Sequence, residues 1–177
     1  KPFLQNKYAF EYNGFKLFIE PFSEKGTVYV FGAGHVSREL VPVIEHIGFK
    51  TAVYEERKEL LDSWSFPAET TIINGEFGRI DDYIDMNEND YAVMTSGHIA
   101  DYTVLEQVLR KKLSYVGVIG SRTKVAITRQ KLIAAGVDEK KIDELYTPIG
   151  LAIKAVTPAE IAISIAAELI LHRAENR

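Results

Sequence analysis

A glycine turn set between two apolar runs of different period constrains this chain most. Thr27-Val28-Tyr29-Val30-Phe31 is short and apolar enough for a strand buried on both faces. Gly32-Ala33-Gly34-His35-Val36-Ser37 follows at once. Val36, Leu40, Val43, Ile44 and Ile47 then recur at helical spacing, and Gly48 is placed to end the helix. The first glycine permits a tight turn, and the second lets a pyrophosphate approach the backbone at the helix N-terminus. The third position of such a turn is usually Gly or Ala; Ser37 is small enough for the helix to pack on the strand. Glu55 ends the next apolar run, about 20 residues on, where an acidic residue can bind a ribose diol. The same pattern also suits a ligand-free turn, with Glu55 and Glu56 as two solvated carboxylates.

Strands and helices alternate beyond this point. Thr51 to Tyr54, Thr71 to Ile73, Asp90 to Thr95 and Tyr115 to Ile119 read as strands. Lys58 to Trp64, Asp101 to Leu113 and Ser121 to Ala135, the last closed by Gly136, read as helices. This alternation predicts right-handed βαβ units and an α/β fold, a Rossmann-like doubly wound parallel sheet. Thr157-Pro158-Ala159-Glu160 is a capping box with proline at the first helical position. The helix it starts, Ile161 to Leu171, is apolar nearly all round, which predicts burial against the sheet or against a second copy in a homodimer. Ahead of this domain (26–177), residues 1–25 read as a β-hairpin turning at Asn13-Gly14, either an edge of the main sheet or the remnant of a preceding domain. The chain opens on Lys1-Pro2, as a fragment of a longer protein would.

Composition excludes several functions. The net charge of -4 gives no bulk attraction to nucleic acid or to an acidic membrane surface. No apolar run approaches the roughly 20 residues of a membrane span. The absence of cysteine removes thiolate metal sites and a cysteine nucleophile, and it fits a reducing cytoplasm.

Two more strand ends carry candidate chemistry. Thr95-Ser96-Gly97-His98-Ile99-Ala100-Asp101 follows the fourth strand of the alternating region. Ligands of open α/β sheets bind where the strand order reverses, so this loop should face the Gly32 turn. His98 and Asp101 could bind a ligand, move a proton or hold a metal; Asp101 could equally cap the next helix. Gly120-Ser121-Arg122-Thr123-Lys124 follows the fifth strand. Ser121 is a natural N-cap, yet Arg122 and Lys124 oppose the helix dipole unless an anion sits there. Free amides, a hydroxyl and two cations together make a phosphate site. Trp64 and Phe66 read as core or interface, and His46 and His172 as last-turn residues that suit the helix dipole.

Taken in order, Phe31 to Val36, Glu55-Glu56-Arg57, Gly97-His98 with Asp101, Tyr115 to Lys124, Pro148 to Leu151 and Thr157 to Glu168 resemble the C-terminal Rossmann domain of the XdhC/CoxI family, accessory proteins of xanthine dehydrogenase and related molybdenum hydroxylases. The resemblance implies a carrier rather than an enzyme. Such a protein binds molybdenum cofactor, a pterin bearing a phosphate or a nucleotide tail, and delivers it to an apo-hydroxylase. The implied contacts fall on Gly32, Ala33, Gly34, His35 and Val36, on Glu55, on Thr95, Gly97, His98 and Asp101, and on Gly120, Ser121, Arg122 and Lys124. The chain departs from the family in three ways: Glu55-Glu56 replaces an aspartate pair, Ser96 stands where a histidine is usual, and an N-terminal domain with its cysteine is missing. From the residues alone, an NAD(P)-dependent oxidoreductase or a nucleotide-sensing regulatory module also fits.

Overall fold

The computed structural model describes residues 9–12, 14–18, 26–96, 99–120 and 122–176. Strands β1 (Ala9–Tyr12) and β2 (Phe15–Phe18) form an antiparallel hairpin with Tyr12 opposite Phe15. Gly14 turns it at φ 78°, the left-handed region that a two-residue turn needs. The hairpin is a sheet of its own, so the expectation of a main-sheet edge is not met among the described residues.

The main sheet is open and parallel. Its strands are β3 (Thr27–Phe31), β4 (Lys50–Glu55), β5 (Thr71–Asn74), β6 (Tyr91–Met94) and β7 (Tyr115–Val118), in the order β5-β4-β3-β6-β7. The order reverses between β3 and β6, as the sequence predicts for the first and fourth strands of the alternation. Among the described residues six helices connect and cover the strands: α1 (His35–His46), α2 (Lys58–Asp62), α3 (Ile99–Val108), α4 (Arg122–Ala134), α5 (Glu139–Asp143) and α6 (Pro158–Glu175). A 3-10 turn over Phe77–Asp82 and the short α5 have no clear periodic signal, because neither is long enough to repeat a face.

The core lies in two layers. Val28, Val30 and Val53 point from the sheet to α1 and α6, where Leu40, Ile44, Ile165 and Leu169 meet them. Phe31, Tyr54, Ala92 and Met94 point the other way, to Ile80, Leu105 and Leu132. Adjacent residues of β3 therefore serve opposite layers, as the period of two requires. Residues 146–149 extend the sheet beyond β7: Tyr146 N–H donates to Val116, Val118 N–H to Tyr146, and Ile149 N–H to Val118. Gly150 then turns at φ 98° against α6, and its N–H donates to the nearly buried Glu168 carboxylate. A Cβ there would run into Ser164 Oγ, so the Pro148 to Leu151 segment is a strap docked on α6.

Within one chain helix α6 is buried on one face: Ala162, Ile165, Ala166 and Leu169 face the core, while Ile163, Ile170 and Leu171 are exposed. His172 corrects one expectation. It is 6% exposed, its ring nitrogens lie 3.2 Å from Ser114 Oγ and 3.0 Å from Tyr146 Oη, and burial pushes its pKa below the ordinary value. It is a neutral core residue rather than a cation for the helix dipole. Among the described residues no helix is long and apolar enough to cross a membrane.

Candidate functional site

The C-terminal ends of β4, β3, β6 and β7 lie side by side. Phe31 is in register with Tyr54 on one side and with Met94 on the other, and Met94 with Val118. Strands stand about 4.8 Å apart, so the β3 and β7 ends are separated by roughly 10 Å. Hydrogen bonds continue past the strands: Gly32 N–H donates to Tyr54 (2.9 Å), Thr95 N–H to Phe31 (3.0 Å) and Ile119 N–H to Met94 (3.0 Å).

The Gly32 turn and the Thr95 loop are locked together. Gly32 has φ 111°, and a Cβ on it would lie 3.0 Å from Ser96 N and 3.1 Å from Ser96 Cα. Only glycine permits both the dihedral and the approach. Ser37, fully buried, donates from Oγ to the Gly32 carbonyl, and its Oγ lies 2.7 Å from Thr95 Oγ1. Thr95 Oγ1 also reaches the Phe31 carbonyl at 3.1 Å. Ser37 therefore does more than spare room for helix packing: it ties the two loops across the reversal of strand order.

Gly34 differs from Gly32. Its φ is -80°, it caps α1 without a side-chain hydrogen bond, and a Cβ on it would enter open space. The first turn of α1 carries no acidic residue. The free amides of that turn therefore open on a cradle that a phosphate oxygen can enter. His35 and Val36 begin the helix, with His35 exposed and its ring 6.3 Å from that of Trp64. The Arg38 guanidinium stacks over the same Trp64 ring. Trp64 is 40% exposed, so it stands at the rim of the cradle rather than in the core, while Phe66 packs against the core.

Glu55 is where the spacing places it, but its carboxylate turns inward. The side chain is fully buried. Oε2 accepts from Ala33 N–H (3.0 Å) and Arg57 Nη2 (3.1 Å); Oε1 accepts from Arg57 N–H and Nε (3.0 Å each). Burial opposes its ionisation, but the Arg57 side chain, the Arg57 amide and the Ala33 amide outweigh that and hold the carboxyl below the usual range. The reading of Glu55 as a solvated carboxylate is thus corrected; Glu56 alone is exposed. Arg57, half exposed, is the site residue that the glycine-turn spacing does not announce.

On the β7 side, Gly120 leads into α4, whose first turn has no acidic residue. Lys124 lines a hollow of about 480 Å³ between β7, α3, α4 and α5, walled by Leu105, Val118, Leu132 and Ile142. Neither the Gly32 turn nor Thr95 lines it. The arrangement offers two environments on one edge: backbone donors at the strand reversal, and an apolar recess with a cation beside β7. Gly97, His98 and Ser121 lie outside the described residues, as do the side chains of Asp101 and Arg122. The backbone of Asp101 is the third residue of α3, which begins at Ile99, so Asp101 is not its N-cap. Among the described residues no three His, Asp or Glu side chains are grouped to hold a metal.

Comparison with known proteins bears on all of these loops. The XdhC Rossmann domain model matches residues 28–169. The uncharacterised protein YqeB of Escherichia coli (strain K12) is 31% identical over 155 residues, 87% of this chain and 28% of that protein. A probable xanthine dehydrogenase subunit of Bacillus subtilis (strain 168) is 28% identical over 158 residues, 89% of this chain and 46% of that one. The crystal structure of a xanthine dehydrogenase from Bacillus halodurans superposes with a TM-score of 0.76 at 31% identity, covering 88% of this chain and 44% of that one. The chain thus spans less than half the length of these relatives. With most of its length matched by one family model, the chain belongs to the XdhC Rossmann domain family.

Proposed function

We propose that this domain is the cofactor-holding part of an accessory protein for a xanthine dehydrogenase-like molybdenum hydroxylase, and that its cargo is the phosphate-bearing pterin of molybdenum cofactor. The interlock of Gly32 with Ser96 beside the open cradle at Gly34 carries this reading. It supports a rigid backbone seat for a phosphate at the α1 N-terminus. The names of two relatives point to xanthine dehydrogenase, and the family to an accessory role beside it.

The protein's own residues have three tasks in this reading. Amides of the first turn of α1 hold the phosphate, since those of Gly32 and Ala33 are already given to Tyr54 and Glu55. Ser37 and Thr95 keep the two loops in register. Arg122 and Lys124 supply positive charge on the β7 side, beside a recess with room for a ring. Holding and release need no covalent step; release needs lower affinity in the docked state than in the free one. Anaerobic purification followed by mass spectrometry tests this: a molybdopterin species should copurify and restore activity to an apo-hydroxylase. Alanine at Arg122 and Lys124 should lower affinity for molybdopterin without changing the melting temperature. Failure of molybdopterin to bind the wild-type chain would refute the reading.

The pairing of two copies belongs to the same proposal. The exposed face of α6 carries Ala159, Ile163, Ile170 and Ala174 about the half-buried Ala167, with Glu160 and Glu175 exposed at its two ends. The stripe reads the same in both directions, so two α6 helices crossing antiparallel near Ala167 would set Ile163 of one copy against Ile170 of the other. Such self-complementarity is what a two-fold interface requires.

A further inference from the structure

In an open doubly wound sheet the residue ending the strand beside the glycine turn faces the ligand's ribose. A free carboxylate there accepts from the sugar hydroxyls and repels a phosphoryl group. Glu55 occupies that place and is not free. A carboxylate offers about four lone-pair directions, and Glu55 has all of them taken by Ala33 N–H and by three donors of Arg57. No acceptor remains for a diol, and the fully buried side chain presents none to solvent.

The same bonds place a cation where an acid would stand. Arg57 Nη2 and Ala33 N donate to one oxygen, so the guanidinium lies no more than about 6 Å from the glycine turn. Of the five N–H groups of a guanidinium, two go to Glu55; the rest are on a side chain that is 51% exposed. Lys58 next to it is held by Asp62. Glu56 and Glu59 are the nearby carboxylates, both exposed and so weakened by solvent and salt. The buried acid thus neutralises only the inner side of Arg57 and fixes the direction of its outer side.

We propose that Glu55 is a positioning residue and that Arg57 reads the sugar end of the ligand, so that the site selects a phosphoryl group on the ribose over a free diol. The proposal rests on the reading that a phosphate is held at the Gly32 turn and goes beyond the pterin cargo, because a ribose phosphorylated at its 2′ oxygen belongs to a separate nucleotide ligand.

Calorimetric titration with ADP-ribose and 2′-phospho-ADP-ribose tests it, with emission of the single tryptophan, Trp64, as a second signal. The wild-type chain should bind the phosphorylated compound at least tenfold more tightly. Arg57→Gln should abolish the preference and leave ADP-ribose affinity within about threefold; Arg57→Lys should keep part of it. Glu55→Gln should cut the preference as Arg57→Gln does, with no further loss in the double variant, because the guanidinium loses its hold. Arg57→Gln, at the surface, decides the matter even if the Glu55 variant does not fold. Equal binding of the two compounds, preference for the diol, survival of the preference in Arg57→Gln, or binding of neither compound would overturn the proposal. The cofactor reading is judged separately: copurified pterin with no nucleotide preference sinks only Arg57's role, and a clear preference without pterin sinks only the cofactor.

Discussion

Gly32 and Gly34 stand two residues apart in one turn and should respond to alanine in opposite ways. Gly32 sits at φ 111°, and its added Cβ would press on the Ser96 backbone at 3.0 to 3.1 Å. The dihedral alone costs about 1–3 kcal/mol, and crowding against backbone adds about 1–3 kcal/mol. At roughly 2–4 °C per kcal/mol for a domain of this size, Gly32→Ala should lower Tm by about 4–24 °C. Gly34 has φ -80° and open space where the methyl would go. Gly34→Ala should leave stability within about 0.5 kcal/mol, or raise it slightly through the unfolded chain. Its methyl would occupy the cradle that the phosphate needs. Losing charge-assisted bonds to the helix amides costs about 1.5–3 kcal/mol, which is roughly 10- to 100-fold in affinity. Urea unfolding followed by Trp64 emission measures the first quantity, and anaerobic calorimetry with molybdopterin the second. A Gly34→Ala chain that binds as tightly as wild type, or that unfolds as easily as Gly32→Ala, would refute the placement of ligand at the α1 N-terminus.

Other outcomes follow from the same packing. Glutamate at both Ile163 and Ile170 should leave Tm nearly unchanged in dilute solution yet give a monomer by light scattering, where the wild-type chain should be a dimer. Thr157→Ala removes the Thr157 side of the α6 capping box and should cost about 1 kcal/mol in urea unfolding. His172 gives a pH signature: its folded pKa is lowered by burial from 6.5, so it contributes fully above about pH 6.5. Below that the unfolded chain takes up a proton that the folded chain refuses, and stability falls until the folded pKa is passed. His172→Gln should flatten the stability profile in that window, measured by urea unfolding at stepped pH.

The alternation of period two and period 3.6 made the five-stranded sheet legible, down to which strands flank the reversal. Signals that act over a few residues were legible too: Gly14, Gly48, Gly136 and the Thr157 capping box all do locally what their chemistry dictates. Features decided by tertiary partners were not. The apolarity of α6 marks a helix with two apolar faces, yet only contact with α1 and the sheet determines which face is covered. Histidine in a last turn suits the helix dipole, but burial among the rings of Tyr91, Tyr115 and Tyr146 makes His172 a neutral core residue. The role of Gly150 depends on Ser164 and Glu168, more than a dozen residues away, and no local pattern encodes it.

Glu55 shows where the limit lies for the site itself. Spacing from a glycine turn locates a strand end, so the position of Glu55 was readable from residue counting. The direction of the carboxylate was not, because it depends on which donors compete for it. Arg57 sits two residues on, close enough to return to the same side chain with both its amide and its guanidinium, and Ala33 N–H supplies a donor from across the turn. An isolated acid at this place would turn to solvent and to a diol. An acid followed at i+2 by arginine has a partner within its own strand end, and burial then favours the closed pair over the open carboxylate. The sign of charge presented at this strand end is therefore set by residue 57 rather than by residue 55. Replacing Arg57 with glutamine should accordingly act on the acid as well as on the ligand. The carboxyl would keep the amides of residues 33 and 57 and lose both guanidinium donors, the largest influence opposing its burial. Its pKa should then rise from below the usual carboxylate range, a shift that carbon NMR of the Glu55 carboxyl across pH would read directly. A Glu55 carboxyl that titrates in Arg57→Gln as it does in the wild-type chain would show that the two amides alone hold the charge, and Arg57 would then be a bystander at the strand end.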